Sequence, residues 1–343
     1  MIRRPCSFSK ITSRQIFLLF ALCACPWAMA ADLQPAVAAY KDNQLAQAKS
    51  LFEAASKDQS ARNEALYYMG RIAFDEGDAE KAKDYLSQSV EIEPNTSDEY
   101  YWLGRAYGEL AQKANILKQA SYASSVHKYF QLAVEVDPKN IAAQRGLFTF
   151  YIMAPGIMGG GIDKAEKTLA DLRVLSPVDA DIKQLDLLAK KEEKDKHLAH
   201  AKYLVATYPQ SAEALFSAAH VFRNHKMLNE AIAQFEIASK LPVTPQNRMF
   251  VENSTYSFGE TCLWANSRID DAIVSVEKFL LLKLDAKNFN KNWPLWTLAK
   301  LQRQKGNMEK YLNLRRQLDP AFIKQDKWMR EEVEKIDKED KKI

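Results

Sequence analysis

The sequence predicts an all-α protein built as a solenoid of paired antiparallel helices, and two observations carry this prediction. First, the segment 63–94 recurs at a period of 34 residues: Gly104 follows Gly70 at this interval, and Ala48 precedes Ala82 by the same interval. Second, no run with the alternation of a β-strand interrupts the repeats. One helix pair of this size cannot bury its apolar face alone, so neighbouring repeats are expected to stack.

The spacing of small residues and proline in segment 63–94 has a physical cause. We expect Gly70 on the first helix to face Ala82 on the second, because two backbones approach closely only where neither residue is bulky. Gly77 supplies the turn after the first helix, and Pro94 ends the second helix. The residues expected to mark the same packing positions along the chain are Gly70, Ala82, Pro94, Gly104, Ala165 and Ala231.

Residues 1–30 have the composition of a secretory signal peptide rather than of a folded element. The segment 16–25 is apolar but too short to span a bilayer, and Ala28-Met29-Ala30 matches a small-x-small cleavage site. Cleavage is therefore expected after Ala30. A lipoprotein signal is the alternative, although Leu22-Cys23-Ala24-Cys25 is a poor version of the required motif. No later stretch is apolar enough to predict a transmembrane helix, so we expect an exported, soluble protein.

Removal of this segment changes the charge and cysteine content. The chain has 48 Lys and Arg against 44 Asp and Glu, and four of the basic residues lie before Ala31, which leaves 44 of each sign. A balanced charge gives no indication of nucleic-acid binding. Cys262 is then the single cysteine, which excludes an internal disulfide; we expect a small buried residue, with a reactive or intermolecular thiol as the alternative.

The repeats assign residues 31–320 to a solenoid of seven or eight helix pairs. Enlarged turns are expected near 111–121 and 154–162, and the helix-compatible composition of the first favours an insertion that lengthens both flanking helices. The repeat at 180–209 matches the pattern weakly and could act as a joint. Residues 321–343 hold seven basic and seven acidic residues, which predicts either a charged last helix or a frayed tail.

The chain contains one glycine cluster, at 154–161. A phosphate-binding loop would need Gly-Lys-Ser/Thr at its end and a strand before it, and neither is present, so the cluster is interpreted as an enlarged turn. Its pattern, Ala154-Pro155 followed by glycines and Lys164-Ala165, resembles a turn of exported bacterial tetratricopeptide-repeat proteins. This resemblance, strongest over 63–177, implies a right-handed superhelical solenoid in the periplasm that binds another protein or peptide.

Catalytic chemistry is not indicated. None of the common metalloprotease, thiol-redox, haem-attachment or serine-hydrolase motifs occurs. His197 and His200, with Glu193 and Asp195 close in sequence, could in principle hold a metal ion, but an exposed charged helix gives the same pattern. We therefore predict no catalytic site, no metal and no cofactor.

One recurrent pattern suggests a binding surface. In tetratricopeptide superhelices, fixed positions of the first helices line a concave groove. Mapped by resemblance, one position holds an aromatic residue in most repeats, and the next turn holds a base or histidine. The groove residues are Tyr67, Arg71, Tyr101, Arg105, Phe216, His220, Arg223, Trp296 and Lys300, with Tyr256 and Arg303 at further positions. Rings followed by bases suit an extended peptide; alternatively, the rings pack between repeats and the bases merely reach solvent.

Two functional hypotheses follow. In the first, the protein is a non-catalytic periplasmic scaffold or assembly adaptor that binds a partner in the groove. In the second, it is an accessory subunit of an envelope enzyme or transport system and acts through the glycine-rich turn at 154–161.

Overall fold

The computed structural model describes residues 32–92, 96–283 and 289–340. Within these ranges all regular secondary structure is helical, which confirms the predicted all-α fold. The expected signal segment with its cleavage site, and Pro94, lie outside the described residues. The first nine helices are α1 Gln34–Lys41, α2 Leu45–Ala55, α3 Arg62–Asp75, α4 Ala79–Ile92, α5 Ser97–Lys113, α6 Ile116–Val136, α7 Ile141–Met153, α8 Ile162–Leu175 and α9 Pro177–Lys190. The remaining helices are α10 Lys194–Thr207, α11 Ala212–Asn224, α12 Leu228–Lys240, α13 Arg248–Ala265, α14 Ile269–Lys283, α15 Asn292–Gln304, α16 Met308–Arg316, α17 Pro320–Gln325 and α18 Lys327–Asp340.

The chain divides into two compact units, Met1–Ala65 and Leu66–Ile343. In the first unit, α1 contacts α2, and Ala39, Ala48 and Phe52 are buried. Asn43 makes the turn between these two helices with a φ of 60°, a left-handed conformation that asparagine tolerates better than most residues. The described residues of this unit therefore contain one complete helix pair.

The second unit is a succession of helix pairs in which odd-numbered helices come first and even-numbered helices second. From α5 to α16 each helix contacts the next one along the chain. The first helices α5, α7, α9, α11, α13 and α15 also contact one another in order; we call this set the first-helix row. Side chains of both helix types fill a core that runs without interruption from Ile182 on α9 to Val333 on α18.

The helix crossings explain the glycine positions, with one correction. A Cβ atom added to Gly70 would lie 2.5 Å from Cγ of Leu86, so the residue that faces Gly70 is Leu86 and not Ala82, which lies one turn earlier. Likewise, a Cβ on Gly104 would lie 2.7 Å from a ring carbon of Phe130. Glycine therefore makes room for a large side chain of the second helix. The expected alanines are nevertheless fully buried: Ala82, Ala165 and Ala231.

The additional residues of the third repeat form helix rather than an enlarged turn at 111–121. Helix α5 continues to Lys113 and α6 begins at Ile116, so only two residues connect them. Asn115 makes the short connection possible, because its side-chain oxygen accepts a hydrogen bond from the backbone N–H of Lys118 (3.1 Å) and caps α6. The two helices are consequently longer than their neighbours.

The weakly patterned repeat at 180–209 is held by polar contacts that a search for apolar spacing does not detect. Asp181 on α9 is buried, and its carboxylate accepts hydrogen bonds from the hydroxyls of Tyr208 (2.7 Å) and Tyr203 (3.2 Å) and pairs with Arg173. Its backbone carbonyl lies 2.7 Å from Nε2 of His200 on α10. A carboxylate at the centre of this network joins α8, α9 and α10.

The C-terminal segment forms a packed helix rather than a frayed tail. On α18, Met329 is fully buried and Val333 is nearly so, and both belong to the core. The acids of α18 also pair with bases of the preceding repeat, for example Asp337 with Arg315 on α16. Among the described helices, none combines the length and the apolar character that crossing a bilayer requires.

Candidate interaction surface on the first-helix row

At the start of the row, on α5 and on the first helix that precedes it, α3, two arginines alternate with aromatic rings. The guanidinium carbon of Arg105 lies 4.4 Å from the ring centroid of Phe74 and 4.5 Å from that of Trp102. The guanidinium carbon of Arg71 lies 4.6 Å from the same Trp102 ring. These are cation–π distances. We call Arg71, Phe74, Trp102 and Arg105 the arginine–aromatic stack.

The two tyrosines expected at this end flank the stack. The hydroxyl of Tyr67 accepts a hydrogen bond from Arg71 (3.3 Å), and burial raises the pKa of Tyr67 to about 12. Tyr101 lies at the edge of the stack, with its ring 5.8 Å from the Arg105 guanidinium, and also packs against Phe130 of α6. The structure thus brings together all four groove residues that the sequence places on α3 and α5.

In the middle of the row, a cavity of about 490 Å³ opens between α7, α9, α11 and α13. We call it the first-helix cavity; it is lined by Arg145, Ile182, Lys183, Leu185, Asp186, Ala189, His197, Glu213, Phe216, Ser217, His220, Val221, Asn224 and Phe250. Its charged groups are paired within the wall: Arg145 with Asp179 and Glu213, and Lys183 with Asp186. The cavity therefore offers a ligand both aromatic and aliphatic surface and uncharged polar groups such as Ser217 and Asn224.

Arg223 and His220 belong to one hydrogen-bonded network below this cavity. Arg223 donates to Glu260 on α13 (2.7 Å) and to Nδ1 of His220 (3.0 Å), and its guanidinium carbon lies 4.7 Å from the Trp264 ring. The hydroxyl of Tyr256 donates to Glu260 as well (3.2 Å), and burial raises the pKa of Tyr256. Both carboxylate oxygens of Glu260 are therefore engaged by this chain.

His220 should give the stability of the protein a dependence on pH. Burial, and then the charge of Arg223, lower the pKa of His220 from 6.5 to about 4. Because the folded state holds the neutral imidazole, its contribution is complete above the ordinary pKa and is lost as the pH falls toward about 4. We expect the free energy of unfolding to fall less steeply in His220→Gln than in the wild type between about pH 7 and about pH 5. Urea unfolding across this range measures the difference, and equal slopes would contradict it.

At the end of the row, the structure covers two of the expected groove residues. Trp296 is fully buried, and its indole N–H donates to Glu332 on α18 (2.8 Å). Lys300 donates to the same carboxylate (2.6 Å), and Arg303 pairs with Glu339 at 3.4 Å. A partner could reach Trp296 only if α18 moved. Here the alternative interpretation of the pattern, packing between repeats, describes the structure.

The sequence pattern missed several residues of this surface. Phe74, Trp102 and Phe250 lie outside the repeat positions used for the groove, and Glu260 and Glu332 are acids supplied by later helices, α13 and α18. The sequence does contain a spacing that indicates these acids, because Arg223 and Glu260 are 37 residues apart and Trp296 and Glu332 are 36 residues apart. A search for polar partners one repeat apart would have found them.

The glycine-rich turn at 154–161 is held at several points. It contains a short 3₁₀ helix, Gly156–Met158. The N–H of Gly161 donates to the carbonyl of Tyr151 (2.9 Å), and Lys164 donates to the carbonyl of Gly159 (2.9 Å). A Cβ on Gly160 would lie 1.9 Å from the carbonyl oxygen of Ala154, so no other residue fits there without backbone movement. Ile157 at the tip is 95% exposed.

The remaining candidate groups show no chemistry of their own. Cys262 is buried, and burial raises the pKa of its thiol to about 12, far from that of a reactive thiolate. The rings of His197 and His225 lie 5.9 Å apart. Within the described ranges, no three His, Cys, Asp or Glu side chains converge in a way that could hold a metal ion.

Comparison with known proteins identifies the fold. No family model matches the chain. A curated relative, photosystem I assembly protein Ycf3 of Acaryochloris marina (strain MBIC 11017), is 33% identical over 91 residues, which cover 25% of this chain and 55% of that protein. The match thus spans only about half the length of the relative.

Two solved structures cover most of the chain. A tetratricopeptide repeat protein from Parabacteroides merdae ATCC 43184 aligns with a TM-score of 0.54 and 14% identity over 79% of this chain and 97% of its own. Yeast Tom70 aligns with a TM-score of 0.60 and 18% identity over 80% of this chain and 54% of its own. At these identities the likeness concerns the fold, and it shows that this chain has the tetratricopeptide-repeat fold.

Proposed function

We propose that this protein is a non-catalytic interaction scaffold, exported to the periplasm, that binds a segment of a partner protein along the first-helix row. The fold supports an interaction role, since proteins that have it bind other proteins or peptides. The relative Ycf3 is named an assembly protein, which supports the narrower idea of an assembly adaptor. The composition of residues 1–30 supports export.

The first-helix cavity is the observation that carries the proposal. Its volume of about 490 Å³ suits side chains of a docked segment. Phe216 and Phe250 supply aromatic surface, and their rings lie 5.9 Å apart. Because the charges of the wall already pair with one another, an apolar side chain can enter without leaving a buried charge unpaired. Aromatic side chains that become buried against a partner are where binding energy usually concentrates.

A second candidate function is favoured by the turn at 154–161. There the chain fixes the backbone with hydrogen bonds and yet leaves Ile157 almost entirely exposed. A rigid turn with an apolar tip suits contact with another protein at low entropic cost. In this version, the protein is an accessory subunit of an envelope enzyme or transport system.

A photocrosslinking experiment separates the two proposals. A photoreactive residue replaces Asn224 at the mouth of the cavity, Ile157 at the tip of the turn, or Val174, which is 86% exposed on the second helix α8 and serves as the control. The full chain is expressed in its host and irradiated. Adducts are then identified by mass spectrometry, and the purified partner is titrated against the purified protein.

We expect one partner to be captured from Asn224 and not from Val174, and its purified form to bind the wild type but to bind Phe216→Ala more weakly by about tenfold. Capture of one partner from Ile157 alone would replace the first proposal by the second. Equal capture from all three positions, or no binding by the purified partner, would overturn both. Fractionation of the same cells tests export, because a full-length precursor confined to the cytoplasm would contradict it.

A further inference from the structure

Basic side chains along the first-helix row have different kinds of partner at the two ends of the row. From α7 onward, acids of the following repeats neutralise them: Arg145 pairs with Asp179 and Glu213, Arg223 pairs with Glu260, and Lys300 pairs with Glu332. Arg105 on α5 occupies the repeat position equivalent to Lys300. Within the described part of the chain no carboxylate pairs with Arg105, and its contacts are the rings of Phe74, Trp102 and Tyr101.

Two of the acids close in sequence to the stack are committed elsewhere. Asp98 accepts a hydrogen bond from Asn140 on the next repeat (3.0 Å). Glu99 is buried and accepts hydrogen bonds from Ser89 (2.7 Å) and from the capping residue Thr96 (3.0 Å). Neither carboxylate therefore pairs with Arg105 in the way that Glu332 pairs with Lys300.

We propose that the arginine–aromatic stack is the docking point for a carboxylate side chain, so that the partner segment bound by the first-helix row is acidic where it crosses α3 and α5. This inference rests on the proposed scaffold function and specifies the chemistry of the partner. Arg105, which lies against the same indole ring as Arg71, supplies the positive charge that attracts a carboxylate.

The geometry of the stack suits a carboxylate in particular. Rings near the guanidinium of Arg105 fix its orientation, while its N–H donors point outward in the guanidinium plane. A carboxylate can accept two parallel hydrogen bonds from such an edge. Because Arg105 is already held by its ring contacts, little side-chain entropy is lost on binding.

The chain itself contains a precedent for this mode of binding. At the end of the row, Glu332 of α18 accepts hydrogen bonds from Trp296 and Lys300. These two residues hold the repeat positions that Tyr101 and Arg105 hold on α5. An acidic helix thus already docks onto an aromatic residue and a base of a first helix, and α5 presents an aromatic residue and a base on which no helix of the described chain docks an acid in this way.

Binding of a defined probe tests the inference with the full-length protein. The probe is a short fluorescein-labelled peptide of alternating glutamate and leucine, and the matched peptide carries glutamine in place of glutamate. Fluorescence polarisation at low salt gives the affinity of the wild type, of Arg105→Gln, of Arg105→Lys and of Lys167→Gln. Lys167 is exposed on the second helix α8, so this last variant removes one positive charge away from the row.

We expect Arg105→Gln to weaken binding of the glutamate peptide by about tenfold or more, the usual effect of losing a charged hydrogen-bond partner. Lys167→Gln should change it less than about twofold, and Arg105→Lys, which keeps the charge but not the planar fork, should fall between. The glutamine peptide should not distinguish wild type from Arg105→Gln. If Arg105→Gln does not fold, the comparison of wild type with Arg105→Lys and the two peptides decides.

Three outcomes would overturn the inference: equal binding of the two peptides, equal binding by wild type and Arg105→Gln, or tighter binding of a single-stranded oligonucleotide than of the glutamate peptide. Its failure is separable from that of the proposed function. A partner captured from Asn224 whose affinity does not depend on Arg105 would leave the scaffold function standing. Arg105-dependent binding of the peptide, without any partner captured from Asn224, would support the inference and count against the scaffold function.

Discussion

Replacing Trp296 by alanine is expected to lower the free energy of unfolding by about 3–5 kcal/mol. Trp296 is among the largest fully buried side chains of the protein, and its removal leaves a cavity that the surrounding helices fill only in part. The change also removes the indole N–H that donates a hydrogen bond to Glu332, and this hydrogen bond anchors α18 to α15. The substitution would therefore weaken the packing of the C-terminal helix α18 as well as the core around residue 296.

Urea unfolding followed by circular dichroism measures this effect, and Trp328 provides the matched control. Trp328 lies on α18 but is 74% exposed, so Trp328→Ala should change the unfolding free energy by less than about 0.5 kcal/mol. If the two variants had equal stability, Trp296 could not have the buried position described above, and a role as an accessible binding residue would regain support.

Replacing Asp181 by alanine is expected to cost about 3 kcal/mol of unfolding free energy, the lower end of the range for breaking a buried ion pair. We expect a cost at the lower end of this range because the Arg173 side chain is 44% exposed, so its guanidinium group can be hydrated when Asp181 is removed. The hydroxyl of Tyr208 is part-buried, and burial together with the hydrogen bond to Asp181 raises the pKa of Tyr208. Without Asp181 this donor loses its acceptor inside the weak repeat.

The control for this prediction is Asp186→Ala on the same helix. The Asp186 side chain is 50% exposed and pairs with Lys183 on its own helix, so its loss should cost less than about 1 kcal/mol. Urea unfolding of both variants, with limited proteolysis of the 180–209 repeat, gives the comparison. Equal stability of the two variants would show that the Asp181 network does not hold this repeat together.

The features that sequence could predict are those that depend on backbone spacing. Gly77 was expected to make a tight turn and does so with a φ of 80°. The repeat period located the helix pairs because a small residue is needed wherever two backbones cross. It did not identify Leu86 as the residue facing Gly70, since the direction of a side chain depends on the crossing angle and not on the interval alone.

The features that sequence could not predict depend on which side chains meet across repeats. Tyr67, Tyr101, Arg71 and Arg105 were selected by position and do lie together, but the rings that hold the arginines, Phe74 and Trp102, lie outside the positions used in that selection. Trp296 and Lys300 were selected by the same rule, and α18 covers them. A pattern that treats every repeat alike cannot show that the last one is occupied by the chain itself.

The pairing of bases with acids of later repeats makes the inner repeats depend on the C-terminal ones for charge as well as for apolar packing. Arg145 pairs with Glu213, Arg223 pairs with Glu260, and Lys300 pairs with Glu332, and in each pair the acid comes later in the chain. Truncation from the C-terminal end would therefore remove the acid of Lys300 first, then that of Arg223, and then that of Arg145.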